Sequence, residues 1–299
     1  MNDIETNNDN NQDTNTQNPL KSFYDALAKK NNDLIEETIV VKLLDYIIEN
    51  EDNQFHITLK KGTSLFRARE INCPYNNTKY DIWKDDNGNI KCKGYNEYES
   101  KEPPITIATE GRNNINGMSY LYLAKDPYTA CAEIKPNIRS MISLATFETK
   151  KDLRLITFND KKISLDFLKY FYYPFVSSVI LEEILKEIYR MFSKTRKCEY
   201  DYLATQYISD RIRKAGYDGI NYYGSANYGT NYTIFNSHKM FIRFVKSDII
   251  VSSGITYHFT NLETEEKVCK PNEGGINPDL GFLKEELLAR RMNSKEIKE

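Results

Sequence analysis

The order of apolar and polar positions divides the chain into a helical front and two strand-rich regions around a helical centre. Residues 1–18 are almost wholly Asn, Asp, Gln, Thr and Glu. Such a segment cannot bury enough apolar surface to offset its chain entropy, so it reads as a disordered tail. From 20 to 50, Leu34, Ile35, Ile39, Leu43, Leu44, Ile47 and Ile48 recur at three- and four-residue spacing. That period predicts one or two amphipathic helices packed on the main domain. Alternating apolar positions from Phe55 to Arg69, with a turn at Lys61-Gly62, predict one or two strands. Residues 71–104 are polar and read as a long loop with a hairpin at Asn87-Gly88.

The run Met118–Ala124 predicts a buried strand. Asp126 then reads as an N-cap and Pro127 as the first residue of a helix running to about Ile134, before Pro136. Ser140–Phe147 and Leu153–Phe158 are strand candidates, and Leu165–Phe192 reads as helical with a break near Pro174. A further helix, Tyr200–Lys214, is closed by Gly216. Strands are expected at Asp218–Tyr223, Tyr232–Phe235, Met240–Lys246 and Ile249–Phe259. Residues 262–299 are highly charged, with Leu283, Leu287 and Leu288 at helical spacing. Strand clusters around a helical centre, without regular βαβ alternation, predict an α+β domain rather than a doubly wound sheet. Neither a GxGxxG nor a GxxxxGK(S/T) loop is present.

Composition narrows the class. With 40% hydrophobic and 28% charged residues, the chain suits a globular protein. Lys and Arg number 41 against 43 Asp and Glu, with no basic stripe, so a nucleic-acid partner is not expected. The five cysteines (Cys73, Cys92, Cys131, Cys198 and Cys269) are scattered, with no CxxC pair. They read as reduced thiols, and no metal site is expected. The start of the chain lacks the basic and apolar regions of a signal peptide. The most apolar stretch, Phe171–Ile180, carries Pro174 and is too short to cross a bilayer. The expectation is a cytoplasmic protein without a membrane partner.

Three patches could carry chemistry. They are Leu65-Phe66-Arg67-Ala68-Arg69, the stretch Gly111 to Glu133, and the stretch Gly216 to Phe235. Each alone has an ordinary reading: Arg67 as a solvent-facing strand residue, Gly111 and Gly117 as turn residues, Glu133 as an exposed helix residue, Tyr122 as a core aromatic. Their order is more specific. An aromatic-Arg strand (Phe66-Arg67) precedes Gly-Arg-x-Asn-x-x-Gly (Gly111–Gly117). Then come Leu121-Tyr122-Leu123-Ala124, Thr-Ala-x-x-Glu (Thr129–Glu133), Gly-Tyr-Asp-Gly-Ile (Gly216–Ile220), Ser225 and Gly-x-Asn (Gly229–Asn231). This succession resembles the RES-domain family over about residues 60–250. It departs from the family pattern in having Asn227 where an Arg usually follows the Ser, and in a long insert between Arg69 and Gly111.

The resemblance implies an ADP-ribosyltransferase-like mixed sheet with flanking helices. It also implies a toxin-like enzyme that consumes NAD⁺ and is neutralised by a cognate antitoxin covering its active site. The chain then divides into the tail 1–18, a helical extension 19–54, a catalytic domain 55–260 and a charged extension 261–299. NAD⁺ cleavage needs no general acid, because nicotinamide leaves as a neutral molecule; one carboxylate suffices to steady the oxocarbenium ion. The resemblance gives that role to Glu133. Arg67, then Arg112, are the candidates for the pyrophosphate, because an Arg fork suits phosphate oxygens; backbone N–H groups of the Gly111–Gly117 loop could add a nest. Tyr122, with Tyr120 two residues away, is the candidate for stacking on nicotinamide, Ser225 for a hydrogen bond to the nicotinamide amide or a ribose hydroxyl, and Asn231 for a further contact to NAD⁺. Water or phosphate as acceptor, a protein side chain as acceptor, and a non-catalytic nucleotide-binding module all stay open at this point.

Overall fold

The computed structural model describes residues 19–51, 53–71, 81–159, 171, 176–193, 202–224, 226, 229–235 and 241–254. The readings made for the two tails and for most of 160–175 fall outside these residues.

The helical front is three short helices: α1 (Pro19–Ala28), α2 (Asn32–Glu36) and α3 (Ile39–Glu49). Its apolar period runs on, but Asn31 stops it: the Asn31 side chain accepts from the Leu34 N–H and starts α2 afresh. Strands β1 (His56–Leu59) and β2 (Ser64–Glu70) follow, then the hairpin β3 (Asp81–Lys84) and β4 (Ile90–Lys93), turning at Asn87-Gly88 as expected. A short helix α4 (Glu97–Ser100) leads into β5 (Leu121–Ala124), which is shorter than its apolar run. Helix α5 (Pro127–Glu133) starts as the sequence says: the Asp126 carboxylate accepts from the Thr129 N–H, and Pro127 opens the first turn. Then come β6 (Met141–Thr149), β7 (Leu153–Phe158), α6 (Ser178–Ser193), α7 (Leu203–Lys214), β8 (Gly219–Tyr223), β9 (Thr230–Ile234) and β10 (Ile242–Val251). The two strands expected at Met240–Lys246 and Ile249–Phe259 are one within the described residues. The register against β6 shifts between Phe244 and Lys246, and that irregularity breaks the alternation that the sequence reading used.

Eight strands form one sheet in the order β1-β7-β8-β9-β5-β2-β6-β10. Only β7 and β8 run parallel; the other neighbours are antiparallel. The fold is therefore α+β with a mixed sheet and flanking helices. One face of the sheet presents Tyr120, Ile156, Phe158, Ile220 and Tyr222 to the helices. The other buries Leu65, Leu121, Leu123, Phe147, Leu155 and Ile234. Helix α3 contributes Val40, Val41, Leu43, Leu44 and Ile47, all 0% exposed, to the core that holds Leu185, Ile188 and Phe192 of α6. Arg211 of α7 bonds Asp45 with two nitrogens and Glu36 with a third contact. The N-terminal helices thus complete the core over the sheet. No helix among the described residues is long and apolar enough to cross a membrane.

Because α3 shares the sheet's core, cutting into it should destabilise the whole molecule in one transition. Leu44→Ala is expected to cost about 2–5 kcal/mol, the range for emptying a buried Leu site. Urea unfolding followed by far-UV circular dichroism checks this; an unchanged midpoint would make α1–α3 a loosely attached arm.

Candidate active site

Strand register builds the site. Across β5, β9 and β8, Tyr122 pairs with Thr233 and Thr233 with Ile220; in the next row Ala124 pairs with Asn231 and Asn231 with Tyr222. Directly paired residues share a face, so Tyr122, Asn231 and Tyr222 all lie on the helix-covered side. Helix α5 packs on the same side through Ala130, against Ala68, Ala124, Ile142 and Leu144. Glu133, in its last turn, meets the two rows there. A cleft of about 230 Å³ results, walled by Tyr122, Tyr222, Asn231, Ala130, Glu133, Ile134 and the adjoining stretches of β2 and β5. Both residues of the single β2–β5 pair, Phe66 and Ala124, line it.

The Gly111–Gly117 loop packs behind Tyr122 and is held by several hydrogen bonds. Tyr122 Oη donates to Asn114 Oδ1 at 2.6 Å and accepts from the Asn113 N–H at 3.1 Å. Asn114 Nδ2 bonds the carbonyls of Thr109, Ile115 and Met118. From α7, Gln206 donates to the Gly111 and Asn114 carbonyls and Thr205 to that of Arg112. A Cβ on Gly111 would lie 2.5 Å from Asn114 Oδ1 and 2.9 Å from Tyr122 Oη, so only glycine lets the loop close on Tyr122. Three N–H groups of the loop where a backbone nest was expected, those of Gly111, Asn113 and Gly117, donate to Asn114 O, Tyr122 Oη and Ala108 O.

Electrostatics single out two groups. Glu133 Oε1 and Arg112 Nη1 are buried without a hydrogen-bond partner. Such orphans are rare in native proteins, and each costs about 1–3 kcal/mol or more for a charged group. The Arg112 guanidinium stands 5.7 Å from the Tyr222 ring centre and 5.9 Å from that of Tyr202. Burial pushes the Tyr222 hydroxyl above its usual value, with Arg112 pulling down and Glu133 pushing up. Both charges therefore act on one phenol. Burial, reinforced by Tyr222, likewise holds the Tyr122 hydroxyl well above its usual range. Asn113 Nδ2 bonds Thr233 Oγ1 at 2.5 Å, Thr233 bonds Tyr222, and Asn113 Oδ1 is a third buried orphan.

The structure therefore brings Glu133, Tyr122 and Asn231 into one cleft and sets Arg112 against its Tyr222 wall. Arg67 is placed differently. It borders the cleft, but its Nη1 donates to the carbonyls of Ser100 and Lys101 at the end of α4, and Arg69 does the same to Glu99. Phe66 and Ala68 pack toward α5, so the alternating arginines turn the other way. Burial, with Arg69 beside it and only Glu102 opposing, lowers the Arg67 guanidinium to about 9. The insert between Arg69 and Gly111 thus supplies the carbonyls that hold Arg67. Tyr120 is buried against Phe235, ring centres 5.1 Å apart, away from the cleft walls. Ser225 lies outside the described residues. Among the described residues, no group of three or more His, Cys, Asp or Glu side chains could hold a metal ion. Sequence reasoning missed Tyr222, Asn113 and Gly224. Tyr222 and Gly224 sat just before Ser225, the position that drew attention.

Comparison with known proteins now has a site to refer to. The RES domain family model matches residues 96–260, more than half of the chain, and the chain belongs to that family. Arg112, Tyr122, Glu133, Ser225 and Asn231 fall inside the match and Arg67 outside it. No curated protein matches the sequence. Among solved structures, the chain is similar to one in the crystal structure of the M. tuberculosis MbcT–MbcA toxin–antitoxin complex. That similarity covers 64% of this chain and 86% of the other, at 10% identity and a TM-score of 0.33.

Tyr122 ties strand to loop through its hydroxyl alone. Tyr122→Phe should strand the Asn113 N–H and Asn114 Oδ1 and cost about 1–3 kcal/mol. Thermal unfolding of the pair of proteins measures it; equal melting temperatures would mean that the loop stands without this bond.

Proposed function

We propose that this chain is a toxin-like enzyme that binds NAD⁺ and cleaves its nicotinamide–ribose bond, with water or phosphate as acceptor. The observation that carries the reading is a pair of buried, unpartnered atoms that act on one phenol: Glu133 Oε1 in the aromatic-walled cleft and Arg112 Nη1 against its Tyr222 wall. A ligand with hydroxyl donors, an anionic group and a flat cationic ring satisfies every part. NAD⁺ carries all three. Membership of the RES family adds the expectation stated from the motifs.

The cleft is smaller than the ~300–1,000 Å³ of pockets that enclose whole drug-sized ligands, so it would hold the nicotinamide–ribose end. Tyr122 and Tyr222 offer faces to the cationic ring. Glu133 accepts a ribose hydroxyl and faces the positive charge that develops on C1′. The C1′–N bond breaks with its electron pair going to the ring nitrogen, which neutralises nicotinamide. The acceptor oxygen then bonds C1′ and releases its proton to solvent. Arg112 holds the pyrophosphate, since its Nη1 is unspent, whereas Nη1 of Arg67 is already used on α4. Ser225 remains the candidate for the nicotinamide amide. A cognate antitoxin that covers the cleft would silence the enzyme.

Glu133→Gln is expected to lower nicotinamide release from NAD⁺ by at least about 10²-fold, the scale of losing a group aimed at transition-state charge. Chromatography of the products checks it, and wild-type turnover in the variant would remove Glu133 from the mechanism. NAD⁺ radiolabelled in its ADP-ribose half separates acceptors: label left in solution supports water or phosphate, and label on protein supports ADP-ribosylation. Arg112→Ala should raise the KM for NAD⁺ about tenfold or more, the loss of one charge-assisted contact. Arg67→Ala should chiefly lower the melting temperature; the reverse assignment of these two effects would return the phosphate role to Arg67.

A further inference from the structure

Strand β8 ends at Tyr223, and Gly224 begins the turn toward β9. The Gly224 N–H donates to the Gly229 carbonyl at 2.7 Å, which closes the neck of that turn. Gly224 is not among the glycines with positive φ, so the backbone does not demand glycine there. Space does. A Cβ at this position would fall on Glu133 Oε1, 3.2 Å from Glu133 Cδ and 2.7 Å from Asn231 Nδ2. The Glu133 carboxylate occupies the volume that any other residue's side chain would fill.

We infer that Gly224 is a positioning residue for Glu133, its missing side chain seating the carboxylate between the β8–β9 neck and the Asn231 amide. The inference rests on the NAD⁺ reading for its catalytic meaning, but the seat itself is a matter of packing. Helix α5 is fixed by its Asp126 cap and by Ala130 under β2 and β5, so it cannot slide to make room. The carboxylate must swing instead. An added methyl would push it by roughly 1 Å to restore ordinary contact distances. Asn231 would be pressed from the same side. The groups proposed to hold the rest of the ligand, Arg112 and Tyr122, are not among the atoms nearest that Cβ.

Gly224→Ala should therefore lower kcat for nicotinamide release roughly 10²-fold, the effect of a 1 Å misplacement, with KM for NAD⁺ moving less than about threefold. Glu133→Asp withdraws the carboxylate by one methylene. It should lower kcat in the wild-type background and raise it in the Gly224→Ala background. A kcat for Gly224→Ala within about threefold of wild type, or an equal loss from Glu133→Asp in both backgrounds, would overturn the proposal. Thermal unfolding reads the seat without any substrate. Gly224→Ala should lower the melting temperature by roughly 2–4 °C or more when Glu133 is present and by clearly less in Glu133→Ala, where only the Asn231 amide is still pressed. Equal drops in the two backgrounds refute the seat. A Gly224→Ala chain that fails to fold, rescued by adding Glu133→Ala, supports it. If wild type releases no nicotinamide, the NAD⁺ reading falls, and the thermal cycle still decides whether Gly224 seats the carboxylate.

Discussion

The register of β5, β9 and β8 is the constraint on which the rest of the site depends. Tyr122, Thr233, Asn231 and Tyr222 come from three strands, and pairing parity alone puts them on one face. A one-residue slip of β9 would send Asn231 and Thr233 into the opposite core, where Tyr232 and Ile234 now lie. That core secures the register: moving two large apolar side chains out of it would expose area worth about 25 cal/mol per Å². Packing on one side of the sheet thus maintains chemistry on the other. The parallel β7–β8 pair extends the same logic, because Ile156 and Ile220 anchor β8 under α6 and α7.

Around this frame the protein spends its polar groups unevenly. The backbone of the Gly111–Gly117 loop is tied down by Tyr122, Thr205, Gln206 and its own Asn114. Arg67 and Arg69 are satisfied by the carbonyls that end α4. Such fully bonded networks rigidify what they hold. Against that background the unpartnered Glu133 Oε1, Arg112 Nη1 and Asn113 Oδ1 stand out as local costs within a region otherwise at rest. Rigid walls and unspent groups together are what preorganisation requires: the walls prevent the orphans from relaxing onto each other before a ligand arrives.

Much of this was legible in the sequence wherever the signal was local. Asp126 and Pro127 announced α5, and Asn87-Gly88 announced the hairpin. The order of motifs named Arg67, Arg112, Tyr122, Glu133, Ser225 and Asn231, of which Arg67, Tyr122, Glu133 and Asn231 border one cleft. What was not legible required tertiary knowledge. The apolar period of the N-terminal region continues through Asn31, whose capping bond nevertheless splits it. The irregularity between Phe244 and Lys246 made one strand look like two. Arg67 was correctly placed on a strand, but which face it takes depends on α4, part of an insert with no motif of its own. Tyr222 in an apolar run looks like any core tyrosine. Gly224 looks like a turn glycine, because the side chain that needs its empty space sits far upstream on another element.

The placement of Tyr222 bears on how two opposite charges that act on one phenol stay unpaired. A buried carboxylate and a guanidinium within reach of each other would form a bidentate pair, and the site would neutralise itself. Here Arg112 lies over the faces of Tyr222 and Tyr202, while Glu133 is drawn to the β8–β9 neck beside Asn231 and Gly224. The cation is partly compensated by ring quadrupoles, a weak partner that a phosphate would displace with gain. The Oε1 atom of the carboxylate has no hydrogen-bond partner in the protein. The Tyr222 phenol feels both charges and bonds Thr233, so it is itself held in place as the spacer. A ligand that bridges the spacer, with an anion at one end and hydroxyls at the other, completes both ends at once. On the NAD⁺ reading, the separation of charge that costs the folded protein stability would also select for a molecule with that distribution.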